Sequence, residues 1–368
     1  MMKTRSAVLR EYGKPLQIEE LDMDRPKENE VLVKYEAAGL CRSDLSVLNG
    51  VQTMTILPAI PGHEGAGVVQ EVGSRVTRVK PGDHVVVLWV PMCGECYYCL
   101  RGQSAFCVLK DKIRTGTLPD GSYRLRKGSE TIGAMMGVGT FSQYNVLSEK
   151  SVLSIDKDIP FEVAAIVGCA VMTGVGAVLY KAKVEPGSTV AIVGIGGVGL
   201  NIIQGAVLAN ATTIIAIDVL DNKLDFAKKF GATHVINSSK EDPIAAVMEI
   251  TEGIGVDYSF EALGKSQTVA TAFNVIRRGG TTVVAGIPSL DDGLTLPLFQ
   301  FPAMGKNLLG TLYGSGDARV QLTAILKLYK QGRIKVKELI TSHYSLEEIN
   351  EGFADLISGK NARGVINF

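Results

Sequence analysis

The sequence predicts an α/β protein in which a β-rich body is joined to an open, doubly wound parallel sheet. Three observations carry this. The first 90 or so residues alternate in short runs such as Val31-Leu32-Val33, Gly67-Val68-Val69 and Val85-Val86-Val87, the texture of short strands and turns. From residue 189 onward, β-branched apolar runs alternate with helical segments of about 10 to 15 residues, as parallel βαβ units do. Glycine makes up 41 of the 368 residues, above the usual share of about 7 %, so the backbone turns tightly or approaches a ligand closely in many places.

Taken in order, Lys80-Pro81-Gly82-Asp83 is a turn feeding the strand at Val85, and Glu185-Pro186-Gly187-Ser188 repeats the device before Val190. The parallel strands are predicted at 189–193, 213–218, 234–236, 256–260 and 281–285, with a shorter one near Leu308. Helices are predicted between them at 197–208, 222–229, 243–251 and 266–276. One further helix over 319–330 precedes a strand-like end at 364–368. No internal repeat or low-complexity tract is visible.

Composition narrows the function. Lys plus Arg and Asp plus Glu are 38 each, so there is no basic footprint for nucleic acid. The opening MMKTRSAVLREYG has no apolar run of signal-peptide length. The apolar stretch 189–219 is punctuated by Gly194, Gly196, Gly197, Gly199, Asn201 and Asn210; it reads as a buried strand–helix–strand unit, and no membrane association is expected. Six cysteines in such a chain read as metal ligands or free thiols, and a cytoplasmic location is expected.

Gly194-Ile195-Gly196-Gly197-Val198-Gly199 is a G-x-G-x-x-G that follows the strand Val190-Ala191-Ile192-Val193 and opens an apolar helix, the context that the dinucleotide fingerprint requires. Its glycines permit the tight turn and let backbone N–H groups reach a pyrophosphate at the helix N-terminus. Asp218 ends the next strand, where a carboxylate accepts hydrogen bonds from ribose hydroxyls. It would repel a 2′-phosphate, and Val219-Leu220 offers no arginine in compensation, so NAD is favoured over NADP.

Cys93, Cys96, Cys99 and Cys107 form a C-x2-C-x2-C-x7-C loop. Four thiolates so spaced can wrap one zinc with no open vertex, which makes the site structural. An iron–sulfur cluster also takes four thiolates, but this loop of Gly, Glu and Tyr suits redox-inert zinc better. Two cysteines remain, Cys41 and Cys169, with Gly62-His63-Glu64-Gly65 between them. Alone, each reads as a buried thiol or a plain loop histidine. Together with the fingerprint they fit a catalytic zinc held by Cys41, His63 and Cys169, its fourth vertex left for water or substrate. Such a zinc lowers the pKa of a bound hydroxyl, and an alkoxide can expel a hydride. Asp44 can orient His63 by accepting its second ring N–H, or be a helix N-cap, or both. Glu64 stands behind the metal, and Ser43 can accept the alcohol proton.

In order and spacing, Cys41-Arg42-Ser43-Asp44, Gly62-His63-Glu64, the four-cysteine loop, Cys169, the glycine fingerprint and Asp218 resemble the zinc-containing medium-chain alcohol dehydrogenases over essentially the whole chain. The likeness is nearest to the branch of the liver-type enzymes and glutathione-dependent formaldehyde dehydrogenase; the Leu118-Pro119-Asp120-Gly121 insert and Thr140-Phe141-Ser142-Gln143-Tyr144 share in it. The resemblance implies a GroES-like β-rich catalytic domain over 1–170, completed by 313–368, and a Rossmann NAD-binding domain over 171–312. It implies two zinc ions per chain and a homodimer joined through the nucleotide-domain sheet edge, with a homotetramer as the alternative. It also implies that Arg42 and Arg363 contact the cofactor pyrophosphate, Lys223 the adenosine ribose, and Thr173 and Val198 the nicotinamide side, while Trp89 and Tyr313 line the substrate pocket.

Two departures bear on substrate. Where liver-type enzymes end the proton relay in histidine this chain has Ser46, which is no base near neutral pH; the proton then passes from Ser43 and the ribose to water. Where the formaldehyde branch holds glutathione with acidic residues, this chain has Gln52 and Met54. The expected activity is therefore NAD-linked oxidation of a primary or hydrophobic alcohol, or reduction of its aldehyde. The rivals are S-(hydroxymethyl)glutathione dehydrogenase and a non-catalytic nucleotide-binding scaffold keeping only the four-cysteine zinc. Arg124-Leu125-Arg126-Lys127 reads as a solvated loop face rather than an anion-binding patch.

Overall fold

A computed structural model describes residues 2–53 and 55–368. It divides into two compact units: residues 1–169 with 317–330 and 336–368, and residues 170–316 with 331–335. This departs from the expected division, since 313–316 and 331–335 lie in the second unit. The reason for the short return is local. Gln204, buried in the helix Gly197–Leu208, accepts from Lys335 N at 2.6 Å and donates to Lys335 O at 3.2 Å, while Lys335 Nζ donates to Lys229 O at 2.5 Å.

In the first unit the long strand Glu30–Gly39 pairs antiparallel with both Gly65–Val72 and Arg363–Asn367, matching Ala38 to Gly65 and Gly39 to Val365. That register brings the chain leaving Gly39, the chain entering Gly65 and the start of the last strand to one place, although they are remote in sequence. Beneath them lies a core of Val31, Val33, Tyr35, Val85, Val87, Phe141, Leu147 and Ile366, all essentially fully buried. Its one large polar atom, the Tyr35 hydroxyl, donates to Val138 O at 2.8 Å, which removes the cost of an unpaired buried hydroxyl.

The second unit is a six-stranded, all-parallel sheet in the spatial order His234–Asn237, Thr213–Asp218, Thr189–Val193, Val256–Glu261, Ile276–Val284 and Asn307–Gly310. The order in which strands are added reverses between Thr189–Val193 and Val256–Glu261, which creates the switch point where doubly wound sheets bind nucleotides. Its helices have identifiable ends. Pro243–Ile250 starts on Asp242, whose side chain accepts from Ile244 N at 2.8 Å with proline in the first turn. Asp221–Phe230 stops at Gly231, at φ +112°.

Three local expectations need correction. The first 90 residues are not free of helix: Arg42–Leu48 is one, too short for a periodic apolar face to show. The fifth parallel strand runs over Ile276–Val284 and ends the preceding helix at Asn274; a register shift between Val256 and Tyr258 lets the Gly279-Gly280 pair sit in a strand whose pattern does not alternate. The basic tetrapeptide is solvated only at its end, where the Arg126 and Lys127 side chains are 42 % and 52 % exposed, and it is not a loop. Leu125–Lys127 is a strand. Arg124 is buried and forks onto Glu30, with its Nε 2.8 Å from Oε2; Arg126 pairs with Asp24, and Lys127 Nζ lies 2.7 Å from Glu19. Each cation is matched by a carboxylate.

Candidate functional site

Cys41 is the N-cap of the helix Arg42–Leu48, and Asp44 at its third position closes a capping box by accepting from Cys41 N at 3.1 Å. The other oxygen of the same carboxylate lies 2.7 Å from His63 Nδ1. Asp44 is thus not the N-cap, which is Cys41, but the third-position partner of the capping box, and the same carboxylate holds the histidine. With Nδ1–H donated to Asp44, His63 presents Nε2 as a lone pair, the tautomer a metal ligand needs. Nε2 lies 3.3 Å from Cys169 Sγ. Cys169 stands in a π-helical turn, Val167–Val171, a local widening that often marks a functional position. Trp89 meets the His63 ring edge-on at 6.0 Å.

Cys41, His63, Glu64 and Cys169 are all buried, and their ligand atoms lie within 4.8 Å of one another. Hydrogen bonds from Cys169 and from His63 hold the Cys41 thiol well below its usual range, and the shared proton pushes Cys169 up. Burial alone would depress His63, but the Asp44 carboxylate raises it. Protons shared among buried sulfur and nitrogen donors are what a cation replaces. Glu64 Oε1 adds to this fit: it is buried and has no hydrogen-bond partner, so a cation would satisfy it.

Arg363 makes a contact that the sequence did not suggest: its guanidinium, 4 % exposed, is bonded through Nη2 to Glu64 Oε2. Burial pushes the Glu64 carboxyl up to about 8 against the pull of Arg363. Gly39 makes this pairing sterically possible, because a Cβ there would stand 2.2 Å from Glu64 Oε2. Ser43 is half-buried and Arg42 exposed on the first turn of the same helix, and Ser46 Oγ donates to Arg42 O at 3.1 Å. Gln52 is half-buried; Met54 lies outside the described residues.

The other four cysteines also converge within 4.8 Å. Cys93 Sγ lies 3.8 Å from Cys99 Sγ and 3.6 Å from Cys107 Sγ, close to the ~3.8 Å edge of a tetrahedron with metal–sulfur bonds of ~2.3 Å. Backbone N–H groups of Glu95 and Cys96 point at Cys93 Sγ, at 3.5 and 3.3 Å, which favours thiolate charge. A metal held by all four thiolates would keep no open vertex, the closed arrangement of a structural site.

In the second unit the fingerprint glycines are sterically required. A Cβ on Gly199 would lie 2.0 Å from Gly194 O, and one on Gly194, at φ +96°, 2.5 Å from Leu263 Cγ. At Gly196 a Cβ would meet open space, the room a phosphate group needs. Gly196 caps the helix Gly197–Leu208, which begins with Gly197 and Val198, and no side chain satisfies its first N–H groups. Asp218 is buried and already employed: Oδ2 accepts from Ile195 N at 2.8 Å, and Oδ1 from Val219 N at 2.8 Å and Leu220 N at 3.2 Å. Lys223 Nζ stands 3.7 Å from the same carboxylate. Thr173 is buried in the short helix Met172–Gly176. Tyr313 is buried on left-handed backbone at φ +54°, followed by Gly314 at +78° and Ser315 at +58°.

A GroES-like alcohol dehydrogenase domain matches residues 27–157 and a zinc-binding dehydrogenase domain residues 197–330. The chain belongs to the zinc-containing medium-chain alcohol dehydrogenase family. It is 44 % identical to the NDMA-dependent alcohol dehydrogenase of Amycolatopsis methanolica over 99 % of both chains. It is 39 % identical to S-(hydroxymethyl)glutathione dehydrogenase of Synechocystis over all of both. The crystal structure of benzyl alcohol dehydrogenase from Acinetobacter calcoaceticus superposes with a TM-score of 0.94 over the whole of both chains, at 32 % identity. The protein is thus an alcohol dehydrogenase with a GroES-like domain and a doubly wound parallel-sheet domain.

Proposed function

We propose that this enzyme oxidises an uncharged, apolar primary alcohol with NAD, or reduces the matching aldehyde. The observation that carries the reading is the convergence of Cys41, His63 and Cys169 from three remote stretches, with Asp44 fixing the histidine tautomer. A zinc held there would supply the Lewis acid that lowers the pKa of an alcohol, and a dinucleotide on the glycine loop would supply the hydride acceptor. The chain's own residues do the rest. Cys41 and Cys169 as thiolates would balance the charge of the cation, with His63 as a neutral donor; Asp44 and the Glu64–Arg363 pair position the ligands, and the Ser43 hydroxyl takes the alcohol proton by hydrogen bond and hands it to solvent. Trp89 beside His63 offers an apolar aromatic wall, and Gln52 brings no charge to receive glutathione.

Asp218 supports NAD over NADP, because a buried carboxylate at that strand end opposes a 2′-phosphate. We further propose a homodimer, supported by the free edge of Asn307–Gly310 and by Leu298 and Phe299, 80 % and 70 % exposed just before it. The cytoplasm is the proposed location. The test is a rate comparison of benzyl alcohol, medium-chain alcohols and S-(hydroxymethyl)glutathione with NAD and with NADP, repeated with NDMA present. Benzyl or medium-chain alcohols with NAD should give the highest kcat/KM. Preference for the glutathione adduct or for NADP would overturn the substrate or the cofactor assignment, and turnover only with NDMA would show that NAD is not the freely exchanging oxidant.

A further inference from the structure

Glu261 is a fully buried carboxylate that the reaction above does not use. It ends the strand Val256–Glu261, whose last pair matches it to Val193, the residue before the glycine loop. Its two oxygens are treated unequally. Oε1 accepts from Leu263 N and Gly264 N, both at 2.8 Å, and from the Thr268 hydroxyl at 2.7 Å; Oε2 is buried with no partner. Burying a carboxylate is costly unless hydrogen bonds compensate it, so three donors on one oxygen mark a group that fixes the backbone around it.

What it fixes is the turn Leu263-Gly264, and this turn meets two others at the carboxyl end of the sheet. The Leu263 side chain fills the space over Gly194, with Cγ 2.5 Å from where a Cβ would stand. Gly264, at φ +76°, leaves no room for a side chain against Ile287, and a Cβ on Gly286 would lie 2.0 Å from Gly264 N. Glu261 O in turn accepts from Ala285 N and Gly286 N at 2.8 and 3.1 Å. The loops after three adjacent strands therefore interlock through glycines, with one carboxylate holding the middle loop. Leu263 remains 43 % exposed, an apolar surface held beside the glycine turn.

We propose that Glu261 is a positioning residue for dinucleotide binding: it shapes the Leu263-Gly264 turn so that Leu263 buttresses the glycine loop, without itself touching the cofactor. This rests on the dinucleotide reading above. The work of a backbone acceptor can be done by an amide oxygen, so glutamine should largely replace glutamate, whereas alanine should not.

The experiment titrates NADH and NADPH into the zinc-loaded full chain by fluorescence, and measures kcat at saturating cofactor, for wild type, E261A, E261Q, L263A and T268V. E261A should weaken binding of the preferred dinucleotide at least tenfold while kcat stays within about threefold and zinc content is unchanged. E261Q should recover to within about threefold of wild type. L263A, which leaves the carboxylate in place, should lose several-fold in affinity with little change in Tm. E261A binding as wild type, or E261Q as weak as E261A, would overturn the role. Should E261A fail to fold, wild-type affinity in both L263A and T268V would overturn it equally. Wild type preferring NADPH would sink the NAD assignment and leave this proposal to be read on NADPH; wild type binding neither would remove both.

Discussion

At the scale of single residues, the metal site was legible because its ligand types are rare and their spacing is unusual. Cys41, His63 and Cys169 were found by elimination of the four-cysteine loop and by company with the fingerprint, and the structure brings them together. The Glu64–Arg363 pair was not legible, since 299 positions separate its members and nothing local ties the last strand to Gly39. Of the two roles the sequence offers Asp44, partner of His63 and N-cap, the first fits the contact to His63 Nδ1, whereas the N-cap is Cys41 and Asp44 supports it from the third helical position. Replacing Asp44 by asparagine keeps the shape but removes the charge that orients His63. D44N should lose zinc from the first site to a chelator ten- to a hundred-fold more readily, while the four-cysteine zinc is retained; equal retention at both sites, followed by a colorimetric zinc indicator, would contradict this.

Among secondary-structure elements, legibility followed punctuation. Helices closed by Gly231 or opened by Asp242-Pro243 were placed to within one residue at each end, because caps act locally. The run Phe161–Ala182 was not assigned. Its 22 residues are apolar between Glu162 and Lys181 apart from Thr173, and 89 % of its most apolar window is buried, so it has little periodicity to read, and by composition alone it passes for a membrane span. The strand Leu125–Lys127 was missed because its charges mimic a surface loop. Their pairing has a measurable consequence. Glu19 is held down to about 2 by Arg10 first, against its own burial, with Lys127 assisting. A carboxylate whose folded pKa is depressed contributes stability that is full above its unfolded pKa of about 4.5 and is lost as pH falls toward 2. E19Q should therefore flatten the fall in Tm between about pH 4.5 and 2 relative to wild type, and an unchanged acid limb in calorimetry would contradict the pairing.

For the whole molecule, the chain carries balanced charge, 38 of each sign, and the long-range organisation comes from the sheets rather than from any field. The order of the parallel sheet was foreseeable from the βαβ alternation, since crossover connections leave few topologies. Which unit claims residues 331–335 was not, because it hangs on one glutamine amide reaching the backbone of Lys335. Cofactor choice also belongs to this scale. Asp218 shapes the loop through Ile195 N in addition to the ribose role proposed for it, so two effects should separate on mutation. D218N, which keeps an acceptor, should raise the NADP-to-NAD ratio of kcat/KM at least tenfold while NADH still binds. D218G should weaken both cofactors as the loop loses its anchor. An unchanged ratio in D218N would count against the selection role.

The central claim is that two metal ions sit in one chain, one enclosed by four sulfurs and one held by two sulfurs and an imidazole. An anomalous difference map collected on crystals of the purified enzyme at the zinc absorption edge tests it directly. Two peaks per chain are predicted, one among Cys93, Cys96, Cys99 and Cys107 and one bounded by Cys41, His63 and Cys169. A single peak at the four-cysteine loop, with those three side chains turned apart, would contradict it.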